Sequence, residues 1–406
     1  AAVTVKYTVG TKVAKNKARH GMVTKFDESK RLYRVAYFDG TGEDLDEERV
    51  RELVRAAGEI RDAKAEEERA AQRKREEEAA ARLEALAAGE GGGGGGGGGS
   101  DNDAARPGGG DDAAAADDGD DDDDEPFDHT AYQHSGPPDD IDEKDKDDPV
   151  CASAYVASHY AAFSAREAAM STRPGYMDDQ PFVNERMRAI LVDWLVEVHL
   201  KFKLVPETLH LTVNIIDRYL NICEVTRPRL QLVGVTALSI ASKFEEIFPP
   251  ELRDLVYICD NAYTREQILE METKMLRKLD YRINVPTAQA FLVRFLKAAH
   301  ADKKIVQLSC CVLDSTLLSY PLLRYLPSQL AAASVLIARR TCGRNSWSPT
   351  LLHIAGRKQE EVVPVALAVL KAKGEMSASL KALGKKYCHS RYGNVGDLEL
   401  SDDFVN

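Results

Sequence analysis

The sequence predicts a mainly α-helical protein: two tandem five-helix bundles, preceded by a small β-barrel module and a disordered acidic linker. Three observations carry this. From about Asn184 onward apolar residues recur at helical spacing and strand signals are weak. One stretch of that block recurs 97 positions later: Leu232–Lys243 resembles Gln329–Arg340, with Ile240-Ala241 falling on Ile337-Ala338 and Lys243 on Arg340. The charge is also sharply partitioned. Residues 1–90 hold 19 basic and 19 acidic side chains, residues 91–148 hold 3 and 20, and residues 149–406 hold 32 and 27. The net charge of −12 therefore belongs to the linker and says nothing direct about the helical block, whose sign is opposite.

Residues 1–55 read as short strands, Val9–Val13, Gly21–Phe26 and Leu32–Phe38, with the polar turn Asp27–Lys30 between the last two and the turn signal Asp39–Gly42 after the third. Alternation along the third strand puts Tyr33, Val35 and Tyr37 on one face and Leu32, Arg34, Ala36 and Phe38 on the other. Residues 56–90 switch to Ala, Glu, Arg and Lys, strong helix formers with opposite charges three and four apart. No repeating apolar seam runs through them, so a solvated single helix is expected rather than a coiled coil. Residues 91–148 contain nine consecutive glycines, Gly91–Gly99, and ten acids between Asp111 and Glu125, a composition that cannot build a core. Residues 149–183 lead into the first bundle, 184–284; the second covers 285–395, and 396–406 form a tail.

Within the first bundle the expected helices are Glu185–Phe202, Glu207–Leu220, Arg229–Ile247, Glu251–Ile258 and Thr264–Leu279. Pro206 and Pro228 sit at helix starts, where a missing N–H costs little. Thr264 and Gln267 form a capping-box pattern. The first helix carries two apolar arcs: Met187, Ile190, Leu191, Trp194 and Val198 on one, Val192, Leu195, Val196 and Phe202 on the other. It is either central or presents a second stripe to a partner. Gly234 and Ala237, matched by Ala331 and Ser334 in the repeat, would let neighbours approach the middle helix of each bundle.

Several classes are excluded. No run of 18 apolar residues and no basic-then-apolar leader is present, so neither a membrane span nor a secretory signal is expected. Seven cysteines occur without a CxxC pair or zinc spacing, and all seven are expected to be reduced packing residues. No nucleophile–base motif, phosphate loop or metal cluster appears, and His199 and His210 are lone helix histidines; no catalytic residue, metal or cofactor is expected.

Met187-Arg-Ala-Ile-Leu-Val-Asp-Trp-Leu-Val-Glu-Val198 is very similar to the first-helix signature of A- and B-type cyclins. Glu207–Leu220, Leu230-Gln-Leu-Val-Gly-Val-Thr-Ala237, Ala241–Pro250 and Asp260-Asn-Ala-Tyr-Thr264 continue the resemblance in order. The wording of the last motifs is closer to mitotic B-type cyclins. The resemblance, over residues 150–395, implies a regulatory subunit that binds and activates a cyclin-dependent Ser/Thr kinase, in the nucleus and cytoplasm. It implies kinase contacts at Tyr155, Ile240, Lys243, Phe244, Glu272, Leu276, Tyr281 and Ile283. It implies a patch for Arg-x-Leu motifs of substrates and inhibitors at Met187, Ile190, Leu191, Trp194, Glu197, Leu230 and Gln231, in which Glu197 pairs with the arginine. His159, Ala162 and Phe163 depart from the family's usual residues in the short helix before the first bundle. Residues 1–150 hold neither Arg-x-x-Leu nor Lys-Glu-Asn, the degradation signals usual in this group.

The layout of residues 1–55 resembles a Tudor-like chromatin-reader module, which implies an aromatic cage for methylated histone tails. Tyr33, Tyr37 and Phe38 are the available aromatics, and the position after Val13-Ala-Lys15 where the family usually has another is filled by Asn16–His20. The competing expectation is thus a cyclin-fold transcription or chromatin adaptor acting through that module. Direct nucleic-acid or membrane binding is not expected.

Overall fold

The computed structural model describes residues 12–16, 19–27, 30, 32–37, 41–88, 136–345 and 347–404. The chain divides into two units, 1–78 and 79–406.

In the first unit, β1 (Lys12–Asn16), β2 (Arg19–Asp27), β3 (Leu32–Tyr37) and β4 (Gly42–Leu45) pair antiparallel in sequence order. Phe26 lies opposite Tyr33, Arg34 opposite Asp44, and the β2–β3 register shifts between Val23 and Lys25. A barrel was expected; among the described residues the strands form an open meander with β1 and β4 outermost. Helix α1 (Glu47–Ala88) begins inside the segment assigned to the β module. The reason is its first apolar pair: Val50 and Leu53, at i,i+3, bury against Val23, Tyr33 and Val35, and thereby cover the sheet face that closure would have covered.

The glycine run and the acidic run of the linker lie outside the described residues. Its last part does not behave as a free tether: residues 136–148 are ordered, with a 3-10 turn at Glu143–Asp145 and Ile141 buried in the core of the second bundle.

Next come α2 (Ser153–Met170) and the two bundles. The first is α3 (Glu185–Phe202), α4 (Pro206–Leu220), α5 (Leu230–Glu245), α6 (Leu252–Ile258) and α7 (Arg265–Lys278). The second is α8 (Ala288–Ala298), α9 (Lys303–Leu318), α10 (Pro327–Thr341), α11 (Pro349–Ala355) and α12 (Gln359–Gly374), with α13 (Ala382–Tyr387) following. The repeat predicted α5 and α10 as middle helices. Every residue from Leu230 to Ser242 and from Ala331 to Arg339 is buried. A Cβ on Gly234 would lie 2.7 Å from Leu191 Cδ1, so only glycine lets α3 come this close. The Thr264–Gln267 capping box opens α7 as expected.

The bundles are joined by polar groups that helical periodicity does not reveal. Arg188 on α3 donates from Nε and Nη2 to Asp217 of α4 at 2.6 and 2.7 Å, and from Nη1 to the Leu317 carbonyl of α9 at 2.8 Å. Tyr176 donates to the same Asp217 at 2.8 Å. A second buried group centres on Asp314 of α9, which lies 3.0 Å from His210 Nε2 of α4 and accepts from Lys386 Nζ and Tyr387 Oη of α13 at 2.8 and 2.7 Å. Burial works to raise the Asp314 carboxyl, but Lys386 and His210 hold it well below the usual carboxylate range. His199 and His210 are thus core residues. No cysteine is bonded; Cys151 and Cys388 are exposed, so the packing role expected of all seven fails for these two.

Candidate functional site

Lys243 sits in the last turn of α5, where a cation complements the helix dipole, and Glu272 sits on α7. The packing of these two helices brings their side chains into an ion pair. Of the other expected contact residues, Phe244, next in sequence to Lys243, and Tyr281 are exposed, and Leu276, one turn after Glu272 on α7, is half-buried. Tyr281 is turned outward by the chain reversal after α7: Asp280 and Tyr281 both take left-handed φ, 53° and 54°, and the Tyr281 N–H donates to the Leu276 carbonyl at 2.9 Å. Ile240 and Ile283 do not belong to this surface. Both are buried in the first core, so their match to contact positions reflects packing.

Ile247 and Phe248 are 87% and 89% exposed, and Tyr257 is exposed too; these large apolar residues were not singled out in the sequence. The signal was there. α5 was expected to run to Ile247, but it ends at Glu245, leaving Ile247-Phe248 in the loop before Pro249-Pro250 without a helical face to bury.

Tyr155 is exposed in the first turn of α2. The far end of that helix is fixed: Glu167 accepts from the Ser328 N–H and Oγ at 3.0 and 2.8 Å, and Arg166 donates to the Asn284 carbonyl at 2.9 Å. The departures from the family pattern are structurally used. His159 packs on Phe163 with ring centroids 4.1 Å apart, and Phe163 in turn meets Phe291. Ala162 is exposed.

The residues expected to form a docking patch lie on α3 and the start of α5. Met187, Ile190, Leu191, Leu230 and Gln231, with Arg227, line one cleft. Met187 is half-buried in its lining, and Trp194, also half-buried, packs on Ile190 beside Leu380 rather than lining the cleft. Leu191 is only 1% exposed and packs on Gly234, so it is floor and core rather than a free contact. Gln231 is buried, and its Oε1, enclosed by the protein, has no hydrogen-bond partner among the described residues. Glu197 is engaged already: Lys385 Nζ of α13 donates to its Oε1 at 2.8 Å. Nearby Asp193 accepts the N–H groups of Ala382 and Lys381, and burial pushes its carboxyl up to about 6.

The aromatic cage is not assembled as expected. Tyr33 is 2% exposed and packs against Phe26, because its strand face is the one covered by α1. For Tyr37 only the backbone is described, and Phe38 lies outside the described residues. Among the described residues no group of three His, Cys, Asp or Glu could hold a metal ion, and no helix is long and apolar enough to cross a membrane.

Residues 158–284 match the family model "Cyclin, N-terminal domain" and residues 286–400 match "Cyclin, C-terminal domain". The chain is 42% identical over 262 residues to G2/mitotic-specific cyclin-1 of Medicago sativa subsp. varia, covering 64% of this chain and 61% of that one. It is 44% identical over 261 residues to Cyclin-B1-2 of Arabidopsis thaliana, covering 63% and 58%. It is 48% identical over 212 residues to Cyclin-B2-1 of Oryza sativa subsp. japonica, covering 52% and 50%. The chain thus spans about three-fifths of the length of the first of these relatives. A viral cyclin from herpesvirus saimiri shares the fold, with a TM-score of 0.50 at 20% identity over 54% of this chain and 98% of that chain. Its two matched domains together take up more than half of the sequence, each coinciding with one five-helix bundle, and the chain belongs to the cyclin family.

Proposed function

We propose that this chain is a mitotic B-type cyclin, a regulatory subunit that binds and activates a cyclin-dependent Ser/Thr kinase and recruits Arg-x-Leu substrates and inhibitors, in the nucleus and cytoplasm. The observation that carries the reading is the Lys243–Glu272 pair, a charged anchor next to the exposed ring of Phe244, with Tyr281 exposed just past the end of α7. Such a surface selects the kinase conformation that fits it. The free energy of contact then shifts the kinase toward the state in which its Lys–Glu pair and activation segment are in place. The chain itself supplies contact and recruitment, not the chemical step.

The test is a pull-down and kinase assay with a purified mitotic cyclin-dependent kinase. Binding and activation are expected, and both fall in the Lys243→Ala, Glu272→Ala double variant. No binding at micromolar concentration would sink the proposal. The chromatin-adaptor alternative loses its main support with Tyr33 in the core. Retention of a methylated histone peptide by the full chain would restore it.

A further inference from the structure

The acidic segment just before α2 grips one side of α8. Arg294 and Lys297 lie three residues apart on that helix, and His300 follows just past its end. Asp142 takes the Arg294 guanidinium with both oxygens, at 2.5 and 2.6 Å, and Lys297 Nζ at 2.9 Å; Lys297 also pairs with Asp145. Asp139 lies 3.2 Å from His300 Nε2, its N–H donates to Thr350 Oγ1 of α11 at 3.1 Å, and that hydroxyl donates back to its carboxylate at 3.2 Å. Ile141, between them, is buried in the second core. This is a fork-to-fork carboxylate–guanidinium pair reinforced by an apolar plug, unlike an isolated surface ion pair. The hydrogen bonds from Arg294 hold the Asp142 carboxyl down to about 2.

The same Arg294 reaches α2. Its guanidinium carbon stands 5.5 Å from the centroid of the Tyr160 ring, and Tyr160 Oη donates to the Ala290 carbonyl of α8 at 3.0 Å. α2 needs such support at this end. Its N-cap is Ala152, with left-handed φ of 47° and no side-chain cap, and its one fully buried residue, Glu167, lies near the opposite end. The half that carries Tyr155 is therefore held through Tyr160 and through the chain entering it.

We propose that Asp142, with Asp139 and Asp145, is a latch that positions the N-terminal half of α2 for kinase contact. This rests on the kinase-binding function proposed above. Asp142 and Asp145 are positioning residues: they act through Arg294, Lys297 and Tyr160 and need not touch the kinase.

The experiment compares the full chain, Asp142→Asn with Asp145→Asn, and Asp142→Glu. It measures affinity for a purified mitotic cyclin-dependent kinase, affinity for an Arg-x-Leu peptide, and amide exchange over residues 153–160. The double variant should bind kinase about tenfold more weakly, with faster exchange over 153–160 and peptide affinity within about twofold of the parent. Asp142→Glu, which keeps the charge, should recover most of the kinase affinity. Equal kinase affinity in parent and double variant overturns the latch alone. Parallel loss of kinase and peptide binding, with no recovery in Asp142→Glu, reduces it to a folding element and overturns the positioning role. A parent chain that binds no kinase overturns the functional reading together with the latch.

Discussion

Lys243 and Glu272 are 29 residues apart in sequence and meet as an ion pair between α5 and α7, with the lysine side chain 47% exposed and the glutamate 14%. The asymmetry matters. The lysine is free to reorient toward a partner, whereas the glutamate is seated in the protein and stays where the fold puts it. An exposed pair of this kind contributes little to folding. At a partner surface the same charges are desolvated and count for much more.

Replacing both with alanine should lower kinase affinity by about 10- to 100-fold while moving the folding stability by less than about 1 kcal/mol. Titration calorimetry against the kinase, with urea melts alongside, reads both quantities. A stability loss matching the affinity loss would make the pair structural.

The docking patch makes two opposite predictions. Trp194→Ala removes a half-buried ring packed on Ile190, a residue that lines the cleft, and should reduce phosphorylation of Arg-x-Leu substrates about tenfold while sparing substrates without the motif. Lys385→Ala releases Glu197 from its existing partner, 2.8 Å away, and should tighten Arg-x-Leu peptides by about two- to fivefold. Steady-state kinetics with paired substrates and fluorescence anisotropy with a labelled peptide decide these; a Lys385→Ala variant with weaker binding would show that the lysine touches the ligand itself.

Arg188→Ala should be among the most damaging substitutions in the chain. It strands Asp217 in the core and frees the Leu317 carbonyl, a change worth about 3–5 kcal/mol. Urea denaturation at neutral pH should show the midpoint falling sharply or the variant failing to fold.

His199 should cost stability as the medium becomes mildly acidic, opposed by Asp193, whose carboxyl, pushed up to about 6 by burial, takes its proton more readily in the folded chain. Burial pushes this imidazole down to about 4 from 6.5; its Nε2 lies 3.1 Å from the Val205 carbonyl and its Nδ1 has no partner among the described residues. Below about pH 6.5 the unfolded chain takes up a proton that the folded chain refuses until about pH 4. The His199 contribution to stability at neutral pH is therefore lost progressively across that window, by up to about 3 kcal/mol. His199→Gln, which can still donate to Val205, should flatten the difference between urea midpoints at pH 7.5 and 5. An unchanged slope would place the effect elsewhere.

Gly234→Ala should cost about 1–3 kcal/mol, because the new methyl group would lie 2.7 Å from Leu191 Cδ1 and forces that side chain or its helix to shift. Thermal melts measure it; a neutral result would mean that α3 and α5 can separate slightly without loss.

By itself the sequence determined the two-bundle architecture, because helical period, proline starts and the 97-residue repeat are local signals that tertiary packing only ratifies in α5 and α10. Lys243 with Glu272, 29 residues apart, and the α3–α5 cleft were marked only through the resemblance to cyclins; no local pattern singles them out. Periodicity cannot say which apolar residues stay in water. That choice needs the neighbouring helix, and it placed Ile240, Ile283 and Leu191 inside, left Ile247 and Phe248 outside, and turned Tyr33 into core by laying α1 over its strand. Nor can composition foresee a long-range charge partner. The acidic linker reads as solvated because its acids far outnumber its bases and no apolar run accompanies them; Asp142 finds Arg294 and Lys297 only after 152 and 155 residues of chain have folded α8 into place beside it.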